Sequence, residues 1–336
     1  MSEENDTGLS SPEELASDDV KSHKAWIRYR TELLHPRTGE KLHRFDSKGP
    51  ELIELQDDND DDDPTFELVT IYNARESGDK TKTAKPVIGS APTRILRIYS
   101  PAVINALRSV VEYYPDQDLS GTIIKINWPY PILVHHYTEL RDFKTRCDNE
   151  DSINLCVREK NASEHIALVL RFLDDNIMER VRAEEERNKR GYCTFEDMWV
   201  SHKPGRTVAI MDRSQKNQWA SYVIYSMSGG ILNNPPEIWT ILAWRLAFDG
   251  KYLGRVRDTL FSYKFDGESA FNSKKILFGN FDGREDDVLS DLALNGKKYW
   301  KLVRKQCRHH NGKSMEFPYN DVRCKIINTC LLCYFA

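Results

Sequence analysis

The hydrophobic pattern of this chain starts late and changes period along its length. Residues 1–22 carry Ser, Glu and Asp with little apolar content, which predicts disorder. Residues 24–45 hold only a thin scatter of apolar positions (Trp26, Ile27, Tyr29, Leu33, Leu34), broken by a turn signal at 36–40. Residues 66–72 and 94–99 are β-branched and aromatic and predict strands, with a Lys/Pro/Gly-rich loop over 79–93 between them. Ser100 then caps a helix opening on Pro101, in which Val103, Ile104, Leu107, Val110, Val111 and Tyr114 keep helical spacing up to Pro115. Residues 122–128 and 132–137 flank a Pro-Tyr-Pro corner. A second helix is predicted from 163 to 190, with Ile166, Val169, Leu170, Leu173, Ile177 and Val181 as its apolar face. Its last two turns, 182–190, lose that face and are expected to project into water, with Gly191 as the C-cap.

Beyond Gly191 the pattern turns to strands: 207–211, 219–227, 238–248 and 253–265, with 276–278 as a further short one. Asp249-Gly250 is a hairpin signal between the third and fourth of these. Gly229-Gly230 and Asn233-Asn-Pro-Pro236 read as loop breakers. The order predicts an α+β fold: an antiparallel Trp/Tyr-rich sheet or partly closed barrel with two main amphipathic helices, behind a disordered acidic N-terminal tail. Five of the seven tryptophans lie between Trp128 and Trp244, and in such a sheet they are expected to be inter-strand packing.

Charge sharpens the division. The formal charge of −4 conceals 18 acidic against 8 basic residues over 1–63, so the remainder carries 34 acidic against 40 basic. An acidic tail thus precedes a mildly basic body, which is not the footprint of a strongly basic nucleic-acid binder. Three regions are expected: a mostly disordered acidic tail and linker over 1–63, an α+β domain over 64–318, and an atypical C-terminal tail over 319–336. No secretory signal and no run near the ~20 apolar residues of a membrane span is visible, so a cytoplasmic or nuclear location is expected. The seven cysteines have no framework spacing and are expected to be reduced.

Candidate chemistry is sparse. Asp57-Asp-Asn-Asp-Asp-Asp-Asp63 lacks the Gly and the distal Glu of a calcium loop. Gly312-Lys313-Ser314 lacks the earlier Gly of a phosphate loop, since Cys307 stands there. Residues 168–175 imitate the apolar run and acids that hold magnesium, but with helical spacing. His135-His136, placed on a strand, would point to opposite faces and could not share a metal. His309-His310 and Cys330-Leu-Leu-Cys333 lack zinc spacing, and Ser226-Met-Ser-Gly-Gly230 is not a nucleophile elbow but the turn at a sheet edge. Asp286-Asp287 sit in a charged loop. No catalytic, cofactor-binding or metal-ligating residue is therefore assigned.

Several segments taken in order carry a resemblance: Tyr99-Ser-Pro with Ala106-Leu-Arg-Ser-Val-Val-Glu-Tyr-Tyr-Pro115, Pro129-Tyr-Pro-Ile-Leu-Val-His-His136, Glu164-His-Ile-Ala-Leu-Val-Leu-Arg-Phe-Leu173, Cys193-Thr-Phe-Glu-Asp-Met-Trp199 with Lys203-Pro-Gly205, Ser226-Met-Ser-Gly-Gly-Ile231, and Trp244 with Phe248-Asp-Gly250 and Leu253-Gly-Arg255. Together they resemble the uncharacterised N-terminal domain of filamentous-fungal AAA-type ATPases, over roughly residues 66–300. The resemblance implies a non-catalytic accessory domain that recruits protein partners or substrates for a motor. ATP and magnesium would belong to that motor, because no Walker A or Walker B motif stands in this chain. On this reading the chain is truncated before the ATPase core, and its last eighteen residues are truncation-derived. Within the Cys193–Gly205 run, Phe195 and Trp199 are expected to be core anchors before a Pro-Gly turn. Two alternatives remain open from the residues: a β-rich binder of single-stranded nucleic acid, and an independent enzyme with a pocket near His135 and His136.

Overall fold

The computed structural model describes residues 25–35, 37–47, 63–75, 87–88, 92–149, 161–212, 218–232, 237–248, 252–271, 276–278, 287–302, 307–308 and 327–328. The first sheet holds β1 (Ile27–Leu34), β2 (Lys41–Ser47), β3 (Phe66–Arg75), β4 (Val87–Ile88), β5 (Thr93–Ile98) and β6 (Ile124–Asn127). Its strand order is β2-β1-β3-β5-β6, with β4 beside β3. Among the described residues only the β1–β3 pairing is parallel, running from Ile27↔Phe66 to Leu34↔Asn73. The segments 27–34 and 41–47 are therefore sheet strands, not part of an acidic tail; the expectations for 1–24 and 48–62 lie outside the described residues.

The two faces of this sheet differ in kind. Phe66, Leu96, Ile98, Ile124 and Ile126 are fully buried on one face and join the core. The opposite face carries an ion-pair layer. Arg30 reaches Glu67 at 2.7 Å and Asp46 at 2.8 Å, and Arg97 reaches Glu67 at 3.3 Å and Glu32 at 3.6 Å. Glu67 is 0% exposed and also accepts the Tyr99 hydroxyl at 3.2 Å.

Helices cover the apolar face. In α1 (Pro101–Val110) the Ser100 hydroxyl accepts from the Val103 amide, as the cap signal requires, and it also meets His165 Nδ1 at 2.7 Å. The helix ends at Val110, sooner than its spacing suggests; Val111 and Tyr114 reach the core from the following loop. Residues 131–149 are helical, as α2 (Pro131–His135) and α3 (Tyr137–Asn149), so the His pair does not lie on a strand. The long predicted helix is α4 (Ala162–Leu173), one π-helical turn (Asp174–Met178) and α5 (Glu179–Lys189). Residues 168–175 accordingly lie on a helical path. Phe172 of α4 meets Phe66 edge-on, ring centroids 5.2 Å apart.

The second sheet is antiparallel, ordered β11-β10-β9-β8-β13, from β8 (Thr207–Asp212), β9 (Gln218–Gly230), β10 (Glu237–Phe248), β11 (Leu253–Ser262) and β13 (Ile276–Phe278). A smaller pair joins β7 (Tyr192–Thr194) to β12 (Glu268–Ala270). The fold is α+β and neither main sheet closes among the described residues. Ser226 to Gly230 belong to β9, so the turn expected there is strand. Asp287 opens a helix, α6 (Asp287–Leu302), where a charged loop was expected. In the C-terminal tail only Ile327–Asn328 is described, as a strand (β15) against Cys307–Arg308 (β14).

Candidate functional site

The Cys193–Gly205 run lies at the junction of the two sheets, and its residues build that junction rather than a reactive centre. Cys193 is buried in β7, with its thiol 3.6 Å from the Ser269 carbonyl. Phe195 and Trp199 are both buried, as expected, and the Phe195 carbonyl accepts the indole N–H of fully buried Trp239 at 2.6 Å. Met198–Ser201 forms one 3-10 turn, and Gly205 takes φ +86° where the chain enters β8. A Cβ at Gly205 would stand 3.2 Å from the Tyr113 ring, so glycine serves both the backbone and the close approach.

A cleft of about 690 Å³ opens beside this junction, between β5–β6, α2 and the end of β9. Tyr114, Trp128, Trp199, His135, Ser226 and Ile231 are among its walls. His135 Nε2 donates to the Trp199 carbonyl at 3.0 Å, which leaves Nδ1 to accept the Tyr114 hydroxyl at 3.1 Å. Burial, with Lys203 nearby, pushes the His135 pKa down to about 3, and burial raises that of Tyr114. Both rings are neutral near pH 7, and their hydrogen bonds tie α2 to the 3-10 turn.

His136 faces a second cleft, of about 820 Å³. There Lys203 Nζ lies 2.7 Å from Glu139, 2.7 Å from the His135 carbonyl and 3.3 Å from His136 Nδ1. Burial and then the Lys203 charge push the His136 pKa down to about 4. Burial would raise the Glu139 carboxyl, but its bond to Lys203 outweighs that and holds it below the usual range. His135 thus borders both clefts, whereas His136 borders the second. Among the described residues, no three His, Cys, Asp or Glu side chains converge as a metal site would need.

The end of α5 is exposed at Arg182, Ala183, Glu185, Glu186, Lys189 and Arg190, as expected, but one side of it docks through Glu184. Glu184 is 0% exposed; it accepts the Thr194 amide at 3.0 Å and the Thr194 hydroxyl at 3.1 Å, and it pairs with Arg187. Arg187 also reaches Glu268 of β12 at 2.7 Å. Burial raises the Glu184 pKa despite these partners.

The most exposed apolar surface lies elsewhere. Of eleven exposed large hydrophobics among the described residues, seven fall between Ile238 and Tyr263, including Leu246, Val256 and Phe261 (60% exposed). They lie on or directly beside the β10–β11 hairpin, which pairs without a bulge from Trp239↔Ser262 to Phe248↔Leu253. β11 ends the sheet order, so one of its edges is unpaired among the described residues. Arg255 lies over the Trp244 ring at 4.3 Å and Arg257 over the Tyr225 ring at 5.3 Å. Sequence reasoning gave the hairpin but not this surface; the signal was the pair of arginines two residues apart on a strand with few acids.

The expectations for Gly312–Ser314, His309-His310 and Cys330–Cys333 fall outside the described residues. No described helix is long and apolar enough to cross a membrane. Residues 183–275 match the model of a family described as a domain of unknown function, DUF7025. The match takes in α5 from Ala183 onward, the Cys193–Gly205 run and the whole β10–β11 hairpin, whereas the first sheet lies outside it. No curated protein and no solved structure matches the chain.

Proposed function

We propose that the chain is a non-catalytic interaction module that recruits a protein for an AAA-type ATPase of the fungal kind its motifs resemble. The observation that carries this reading is the β10–β11 hairpin: an arginine-bearing strand pair with exposed apolar side chains, Leu246, Leu253 and Phe261 on the face of Arg255 and Arg257. Three of the six resembling segments, Cys193–Gly205, Ser226–Ile231 and Trp244–Arg255, fall inside the 183–275 match, which supports treating that region as the defining unit. The domain would span 64–318 with strands β1 and β2 added, and would act in the cytoplasm or nucleus. Nucleotide chemistry would belong to the motor. The test is calorimetric titration of the full chain with ATP and magnesium: no heat is expected, and micromolar binding refutes the accessory reading.

One observation favours a second reading. Arginines stacked on Trp244 and Tyr225 beside exposed Phe261 would also suit single-stranded nucleic acid, in which phosphates meet the guanidiniums and bases stack on aromatics. That reading requires binding that falls steeply with salt.

A further inference from the structure

We propose that the free edge of β11 is a docking site for an extended acidic segment of a partner protein, which adds to the sheet as a further strand. This rests on the interaction-module reading and names the partner's chemistry.

Three observations point the same way. The first is the edge itself. β11 is ten residues long, is regular throughout its pairing with β10, and is exposed along nearly its whole length. Every second residue of such a strand directs its N–H and C=O away from its one neighbour, into open space. Edges are usually blunted by proline, a bulge or charged side chains. Leu253-Gly-Arg-Val-Arg-Asp-Thr-Leu-Phe-Ser262 has no proline and no bulge, and its charges, Arg255, Arg257 and Asp258, would repel a basic strand while leaving the edge open to an acidic one.

The second is charge. Between Lys251 and Lys264 the chain holds four basic residues and one acid, within a protein of net charge −4. Arg255 and Arg257 are exposed, and each is held by an aromatic ring instead of a carboxylate. A guanidinium lying over a ring uses its face there, while its N–H groups radiate in the plane and stay available for bidentate pairing with a carboxylate.

The third is spacing. Positions 255 and 257 share one face of the strand, about 7 Å apart. Alternate side chains of an added strand have the same spacing, so two carboxylates separated by one residue meet both arginines in one register. On the opposite face of β11, exposed Val256 and half-buried Leu260 would meet the intervening apolar side chains of the incoming strand.

Backbone geometry favours a peptide over nucleic acid, because only a second polypeptide supplies alternating donors and acceptors along a strand edge. Charge disfavours a second copy of this chain: antiparallel pairing of two β11 edges would gather the arginines of both copies on one face.

The experiment measures fluorescence anisotropy of a labelled ten-residue peptide of alternating glutamate and valine, titrated with the full chain. Saturable binding is expected. Arg255→Glu with Arg257→Glu should weaken it at least ten-fold without changing the unfolding midpoint. A peptide with proline at two of its valine positions should lose binding to a similar degree, and a lysine-for-glutamate peptide should not bind. Equal binding of the proline peptide overturns strand addition. So does tighter, competing binding of a ten-nucleotide oligo-dT, which assigns the face to nucleic acid. Concentration-dependent dimerisation abolished by the arginine reversal assigns it to a second copy. An inert peptide with ATP also inert removes the acidic strand alone; ATP binding removes the module reading itself.

Discussion

Gly230→Ala tests whether the end of β9 and Trp239 of β10 form one packed unit. Gly230 sits at φ +50°, a left-handed conformation that costs an L-residue about 1 kcal/mol. A Cβ there would lie 1.9 Å from Trp239 Cε2 and 2.2 Å from Cζ2, whereas carbon atoms rest about 3.5–4 Å apart. The indole would have to retreat by well over an ångström. It has nowhere to go, since it is 0% exposed and is pinned by its 2.6 Å hydrogen bond to the Phe195 carbonyl. Overpacking of this kind costs about 1–3 kcal/mol, and breaking the indole bond strands a buried donor at about 1–3 kcal/mol more. A loss of roughly 3–7 kcal/mol is expected in urea unfolding. Trp239→Leu removes the obstructing ring, so the double variant should fall short of additivity by about 2 kcal/mol. A Gly230→Ala variant within about 0.5 kcal/mol of the parent, or a strictly additive pair, would refute this account.

Other outcomes follow from the ionised groups. Glu67→Gln removes the carboxylate between Arg30 and Arg97. Breaking a buried pair costs about 3–5 kcal/mol, and the lower end is expected because Arg30 keeps Asp46; urea midpoints decide it. The His135 pKa lies near 3 in the folded chain against about 6.5 when unfolded, so below about pH 6.5 the unfolded chain takes a proton that the folded one refuses. Its contribution to stability is complete above that pH and is lost as pH falls, by about 1.4 kcal/mol per unit. His135→Gln should flatten the stability profile between pH 6.5 and 5; an unchanged slope sinks the assignment. Glu184→Ala should speed amide exchange at Cys193–Phe195 ahead of the rest of the molecule, because Thr194 loses both of its bonds to that carboxylate.

α1, α4 and the antiparallel meander were legible because one face of each buries apolar residues at a fixed period. β1 was not, although Ile27, Tyr29, Thr31 and Leu33 alternate cleanly. The intervening Arg28, Arg30 and Glu32 are charged, and Arg30 and Glu32 are buried in an ion-pair layer with partners on β2, β3 and β5. Non-local pairing of this sort leaves no trace in a local window. Glu184 was missed for the same reason: its partner, Thr194, lies beyond the helix end. α3 is half charged and its apolar contacts, Leu140 and Phe143, are few, so its period is weak. The structural role of the Cys193–Gly205 run was readable from Phe195, Trp199 and Gly205. A pocket near His135 and His136 stood only as an open alternative, and the other walls of the two clefts, from β9, α5 and the 3-10 turn, are brought there by the fold.

The arginine-bearing face also depends on residues that would never touch a ligand, and Tyr113 is the sharpest case. Its hydroxyl accepts the Trp244 indole N–H at 3.2 Å, and its ring meets Tyr225 edge-on at 6.5 Å. Trp244 and Tyr225 are the two rings on which Arg255 and Arg257 lie. One side chain from the loop after α1 therefore fixes both platforms, and the absent side chain of Gly205 gives it room. If the guanidiniums are preorganised in this way, Tyr113→Phe should weaken binding of the acidic peptide although the ring remains. One lost hydrogen bond is worth about 0.5–1.5 kcal/mol, which corresponds to about 2- to 10-fold in affinity. The loss should appear mainly in the off-rate, because the long-range attraction that brings the peptide in is untouched. A merely structural role would move the unfolding midpoint and leave the off-rate alone. That pattern would show the two platforms to be independent of Tyr113.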